Sequence, residues 1–189
     1  MIGKHFSVKI AEVNLDLDMN EIEKYCYKVK EKNPTRIISN MGGYQCPLSF
    51  TDTIMKKILN EISIKSTDYL NEMHLSPNYK YGITSIWVNI NGSKDYNICH
   101  THSGAICSGT FYIKSKDFSG DIVFENPSKP VLESAKQSCI LDIDQADNLH
   151  FPPLVGTMYL FPSWLRHYVE QNKSNEDRIS IAFNIDRIR

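Results

Sequence analysis

From about Ile83 to Ile185 the chain runs in short stretches that alternate apolar and polar residues, with turn residues between them. This period of two constrains the fold more than any other feature of the sequence. The last stretch shows it best. In Arg178–Ile185, the residues Ile179, Ile181, Phe183 and Ile185 share one face of an extended strand, and Arg178, Ser180, Ala182 and Asn184 share the other. By the same rule Trp87, Asn89 and Asn91 lie opposite Ile86, Val88 and Ile90. A small, polar face of this kind suits solvent, or the inner wall of a barrel that holds a polar ligand. The predicted strands are Thr84–Asn91, Ile106–Lys114, Asp121–Glu125, Ser138–Ile143, Thr157–Phe161, His167–Gln171 and Arg178–Ile185. Many short strands with close turn signals predict an antiparallel sandwich or barrel.

The first third of the chain reads as helical. Asp18 or Asn20 caps a helix running to about Lys32, with Ile22, Tyr25, Cys26 and Val29 on one face, and Asn33-Pro34 ends it. A second helix is predicted from Thr51 to about Met73, capped by Thr51 or Asp52, with Ile54, Met55, Ile58, Leu59 and Ile62 at helical spacing. Between the two, Ser39–Gln45 reads as a turn-rich loop around Gly42-Gly43. Helices first and strands later predict an α+β fold with the N-terminal helices packed on one face of the β structure. With no repeat and no Pro/Gly/Ser-rich linker, residues 1–189 read as a single domain, mainly helical through 1–80 and β through 81–189.

Composition narrows the partners. The 21 basic residues against 22 acidic ones give a net charge of −1, which weighs against a nucleic-acid partner. No apolar run is long enough to cross a bilayer and Met1–Phe6 has no signal-peptide core, so no membrane role is expected. The five cysteines are scattered without a CxxC pair, which predicts no disulfide framework and a reducing, cytoplasmic location. No Ser-His-Asp order, phosphate-cradling glycine motif or dinucleotide fingerprint occurs.

The histidines carry the chemistry. His100-Thr101-His102 sets two imidazoles on one face of an extended segment, and Thr101, Ser103 and Gly104 leave access around them. His167 lies 65 residues after His102 and begins a predicted strand. Three histidines from two strands make a facial metal set with open positions for substrate and oxygen. Trp164 reads as a core anchor near this site, and Asn89, Asn97 and Asn184 as residues of the cavity wall or of turns and surface. His150 reads as a loop residue at the surface or behind the site, and Cys99 and Cys107 as packing residues.

Arg178 follows His167 by eleven residues, and Ser180 comes two later. His-x(10)-Arg-x-Ser resembles the C-terminal signature of the Fe(II)- and 2-oxoglutarate-dependent oxygenases. His100–Ile113, Ser119–Pro127, Leu160–His167, Arg178–Asn184 and Ser39–Gln45 together resemble a branch of that superfamily found in bacteria and phages. The resemblance covers about residues 36–185 and implies a double-stranded β-helix, a jelly-roll core of cupin-like form. It implies Fe(II) on His100, His102 and His167, with 2-oxoglutarate as co-substrate held by Arg178 and Ser180 and, more weakly, Tyr112. A guanidinium forks onto a carboxylate through two parallel hydrogen bonds, which lysine cannot copy.

His102 departs from the family pattern, which has a carboxylate there. Either three imidazoles hold the iron, or His102 points away and a carboxylate such as Glu125 completes the set, or iron affinity is weakened. The bulk of His102 argues against halogenation, because the halogenating members have a small residue at this position. The implied reaction couples oxidative decarboxylation of 2-oxoglutarate to hydroxylation of an unknown substrate, either a peptidyl residue such as proline or a small molecule. The rival readings are a cupin-like metalloenzyme that does not use 2-oxoglutarate and a non-enzymatic jelly-roll binding module. Candidate lids are Gly42–Gln45 and Asn126–Lys136.

Overall fold

The computed structural model describes residues 7–129 and 146–188. Its elements run β1 (Ala11–Asn14), α1 (Met19–Lys32), β2 (Asn40–Met41), β3 (Tyr44–Pro47), α2 (Thr53–Lys65), α3 (Thr67–Glu72), β4 (Lys80–Asn91), β5 (Tyr96–His100), β6 (Cys107–Lys114), β7 (Ile122–Glu125), β8 (Asn148–Phe151), β9 (Thr157–Pro162), β10 (His167–Val169) and β11 (Arg178–Ile188). One sheet has the order β1-β9-β6-β11-β4-β3 and the other β2-β5-β10-β7-β8. Every strand pairing within them is antiparallel. This is the expected jelly roll. The predicted strand Ser138–Ile143, and Pro130–Lys136 of the candidate lid, fall outside the described residues.

The alternation in β11 sorts its two faces. Ile179, Ile181 and Phe183 have no exposed surface and Ile185 has 2%. They pack with Ile86, Val88 and Ile90 of β4 and with Ile22 and Cys26 of α1 and Met55, Ile58 and Ile62 of α2. Each such side chain contributes about 1.5–3 kcal/mol by leaving water. Arg178, Ser180 and Ala182 turn the other way and are also buried, so that face is an inner wall and not a solvated surface.

Helix α1 starts where Asp18 predicted, because its carboxylate accepts from the amides of Asn20 (2.9 Å) and Glu21 (3.1 Å). The second helix is two helices, α2 and α3, parted at the fully buried Ser66. Ser63 Oγ donates to the Leu59 carbonyl (2.7 Å) and Thr67 Oγ1 to that of Ser63 (3.1 Å), a hydroxyl back-bonding that bends a helix.

The segment predicted as a loop at Ser39–Gln45 carries parts of two strands. Gly42 and Gly43 both take positive φ (68° and 63°), and the turn passes the chain from β2 in one sheet to β3 in the other. A Cβ on Gly42 would fall 2.0 Å from Asp95 Oδ1. With β1, residues 11–47 thus supply three strands to a region read as mainly helical. β1, β5 and β8 are strands of four or five residues at positions where the sequence pattern predicts none. β10 stops at Val169, short of the predicted Gln171, and β4 and β11 extend beyond their predicted ends.

Candidate functional site

Strand pairing brings the histidines together. His100 of β5 lies directly opposite His167 of β10, and His102 follows β5, its amide donating to the Ser163 carbonyl (2.9 Å). The ligand atoms of the three imidazoles lie within 4.8 Å of one another. His102 Nε2 and His167 Nε2 are 3.1 Å apart.

The tautomers follow from the backbone. His100 Nδ1 donates to the Ile98 carbonyl (2.7 Å) and His167 Nδ1 to the Leu165 carbonyl (2.9 Å), leaving both Nε2 lone pairs for a metal. Burial, reinforced by the neighbouring imidazoles, lowers the pKa of His102 to about 4 and of His167 to about 3, and burial also lowers that of His100. All three are therefore neutral, as metal ligands must be. Trp87, 5.5 Å from His102, and Phe161, 4.7 Å from His167, wall the cluster.

Glu125 does not complete the set. It follows Phe124, the residue paired with His167, so it projects to the opposite face. There it accepts from Arg166 Nε (2.7 Å) and Cys99 Sγ (3.3 Å), and Arg166 holds its pKa below the ordinary value. Among the described residues, no Asp or Glu lines the cavity in front of the histidines.

The far end of this cavity is built around Arg178, which is 1% exposed. Its Nη1 donates to the carbonyls of Ser119, Gly120 (3.0 Å) and Glu170 (3.1 Å). Its Nη2 is buried without a partner. An unsatisfied buried donor costs about 1–3 kcal/mol, more when charged, so the guanidinium is held ready for an anion. Gly120, at φ 86°, makes room for this cage: a Cβ there would lie 2.9 Å from Arg178 Nη1 and 2.6 Å from the Glu170 carbonyl. Desolvation lowers the pKa of Arg178 and strongly raises that of Tyr112, which lines the same cavity. Cross-strand register places Asn89, Ser180 and Tyr112 in one row over β4, β11 and β6, and Trp87, Ala182 and Thr110 in the next row toward the histidines.

The orphaned Nη2 and the convergent, carbonyl-tethered imidazoles are the features a 2-oxoglutarate carboxylate and a divalent iron require, so the residues present fit both groups. Asn89 and Asn97 line the cavity. Asn184 does not, being bonded to Ser108 (2.7 Å) and Ser85 (3.0 Å). Trp164 is 55% exposed and is no core anchor; Leu165 beside it is the buried residue. His150 stands on strand β8 and not in a loop, exposed, with Nδ1 3.6 Å from Glu170. Sequence reasoning missed the carbonyl cage of Arg178, because backbone oxygens leave no residue-type signal; the Ser119-Gly120 turn was its only trace. It also left Trp87 as a face residue with no role.

The family model "Putative 2OG-Fe(II) oxygenase" matches residues 85–184, more than half of the chain. The chain belongs to this family. It is accordingly a 2-oxoglutarate- and Fe(II)-dependent oxygenase. A search of curated proteins found no match. Among solved structures, the oxygenase is similar to a Pseudomonas putida prolyl-4-hydroxylase, with TM-score 0.68 and 11% identity over 95% of this chain and 93% of that one. It is also similar to a viral collagen prolyl hydroxylase from Paramecium Bursaria Chlorella virus-1, in complex with 2-oxoglutarate, with TM-score 0.63 and 15% identity over 95% and 96%. A third is HygX from Streptomyces hygroscopicus with nickel and 2-oxoglutarate bound, with TM-score 0.64 and 10% identity over 95% and 83%. At these identities the likeness is one of fold.

Proposed function

We propose that this oxygenase hydroxylates a C–H bond of its primary substrate, with His100, His102 and His167 holding Fe(II) and Arg178, Ser180 and Tyr112 holding the distal carboxylate of 2-oxoglutarate. One observation carries the reading: three neutral, convergent imidazoles and an orphaned, buried guanidinium nitrogen face one cavity. When bound, iron and co-substrate supply the oxygen chemistry, in which O2 converts 2-oxoglutarate to succinate and carbon dioxide and hydroxylates the substrate. The protein's own residues do the rest. The Ile98 and Leu165 carbonyls fix two imidazoles in the metal-ready tautomer. The Ser119, Gly120 and Glu170 carbonyls hold Nη1 of Arg178 so that Nη2 meets the co-substrate without rearrangement. Trp87, Phe161 and Phe124 keep water from the metal end. Family membership favours this over a cupin-like enzyme without 2-oxoglutarate and over a binding module. The scattered cysteines without a CxxC pair support a cytoplasmic enzyme, one that acts on a peptidyl residue or a small molecule; among the described residues no helix is long and apolar enough to cross a membrane.

The test is an anaerobic titration of metal-free protein with Fe(II), then 2-oxoglutarate, following the visible charge-transfer band. A saturable band that is lost in Arg178→Ala is expected. Iron binding without a band would refute the co-substrate assignment, and no iron binding would refute the three-histidine site.

A further inference from the structure

We infer that Asp121, His150 and Glu170 form a second divalent-cation site, on the face of the five-stranded sheet turned away from the cavity, and that zinc is the ion its mixed oxygen and nitrogen donors suit best. The site needs neither the histidine cluster nor 2-oxoglutarate.

Strand register builds it. Ile122 and Val169 are paired and line the cavity, so their neighbours Asp121 and Glu170 project from the opposite face. The Glu170 amide donates to the Asp121 carbonyl (2.9 Å), which keeps the two residues side by side. His150 of β8 is paired with Val123, two residues after Asp121 and therefore on the same face. One ligand atom from each of the three lies within 4.8 Å of the others. Glu170 Oε2 accepts from the Asp121 amide (3.2 Å), and Glu170 Oε1 lies 3.6 Å from His150 Nδ1.

The donor set is that of a transition-metal site. Two carboxylates stand together, and among the described residues neither has a Lys or Arg within ion-pair distance. Arg178, on the cavity side, acts on both electrostatically, but its Nη1 is bonded to main-chain carbonyls, those of Gly120 (3.0 Å) and Glu170 (3.1 Å) among them. The imidazole separates this set from an ordinary acidic patch, because it adds the nitrogen donor that zinc accepts and that calcium and magnesium avoid. Zinc bonds of about 2.0–2.2 Å need the three atoms slightly closer together. The His150 and Glu170 side chains, 47% and 39% exposed, can turn inward to close that gap, and the open side admits water as a further ligand. An ion held there ties the start of β7 and the end of β10 to β8, directly behind the carbonyls that grip Arg178.

The experiment counts zinc. Untagged, metal-free protein is titrated with Zn(II) by calorimetry, and bound zinc is measured after gel filtration. Wild-type protein should bind one equivalent more than His150→Ala, and Glu170→Gln should lose the same equivalent. Both side chains are half exposed, so these variants should fold as wild type does. His100→Ala/His167→Ala, which dismantles the histidine cluster, should keep the equivalent that His150→Ala loses. An equal zinc count in wild type and His150→Ala would overturn the inference. So would a Glu170→Gln variant that keeps the equivalent, since a lone imidazole would then be binding it, or a His100→Ala/His167→Ala variant that folds and binds no zinc. Should that double variant fail to fold, the comparison of wild type with His150→Ala and Glu170→Gln decides alone.

Discussion

The two ends of the cavity are built on opposite plans. At one end three imidazoles converge, kept neutral by burial, two of them directed by backbone carbonyls. At the other a guanidinium is gripped on one nitrogen by three carbonyls and left bare on the other. Side chains make the metal end, and each can be named from a motif. At the anchor end main-chain carbonyls set the one charged side chain, Arg178. The difference teaches that loss of a histidine should abolish an interaction, while a disturbed backbone near Arg178 should only detune one.

The sharpest way to break this comparison is His167→Ala, because that imidazole is the most buried of the three. Iron affinity should fall by about 100-fold or more, read as metal content after dialysis and by calorimetry. Retention of iron would mean the three imidazoles are not the ligand set.

Next comes Arg178→Ala, which removes the anchor and should raise the 2-oxoglutarate dissociation constant roughly 30-fold or more, since a buried charged partner is worth about 2–5 kcal/mol. Iron affinity should stay the same. Arg178→Lys should recover little, because an ammonium cannot fork or fill the three-carbonyl cage.

Gly120→Ala then tests the main-chain side. The new methyl crowds Arg178 Nη1 and the Glu170 carbonyl at a positive φ. Weaker 2-oxoglutarate binding by about tenfold, with unchanged iron binding, is the expected outcome. Equal loss of both would mean the glycine serves the fold as a whole.

Acid should act on the metal end first. Burial holds His102 at about 4 and His167 at about 3, below the ordinary 6.5. The unfolded chain therefore takes up protons that the folded chain refuses, so the metal-free protein should lose stability as pH falls below 6.5, with the full loss reached only below about 3. Thermal unfolding from pH 7.5 to 4.5 checks the sign, and His167→Gln should flatten the slope. The smallest effect belongs to Trp164→Ala, expected within about 0.5 kcal/mol of wild type in stability and with normal 2-oxoglutarate affinity, because the indole lies in solvent.

Much of this molecule is written locally in its sequence. The period of two in β11 assigned Ile179, Ile181 and Phe183 to the core and Arg178 and Ser180 to the opposite face, because strand geometry alone decides which side a residue takes. Asp18 marked the start of α1 because capping needs only the next three residues. The histidine spacing and the Arg-x-Ser element named a family through its residues. What the sequence left open depends on partners far along the chain. Pairing of β5 with β10 decided that His102 faces His167 across 65 residues, and the opposite projection of Glu125 decided that this carboxylate stays out of the cluster. Trp164 went to solvent and Leu165 to the core because β9 ends just before them, where the strand alternation no longer applies. The bare Nη2 of Arg178 exists because carbonyls from two segments distant in sequence close on Nη1. A sequence fixes which way a side chain points along its own strand; which atoms it meets there, and which it fails to meet, is decided when the two sheets close over one cavity.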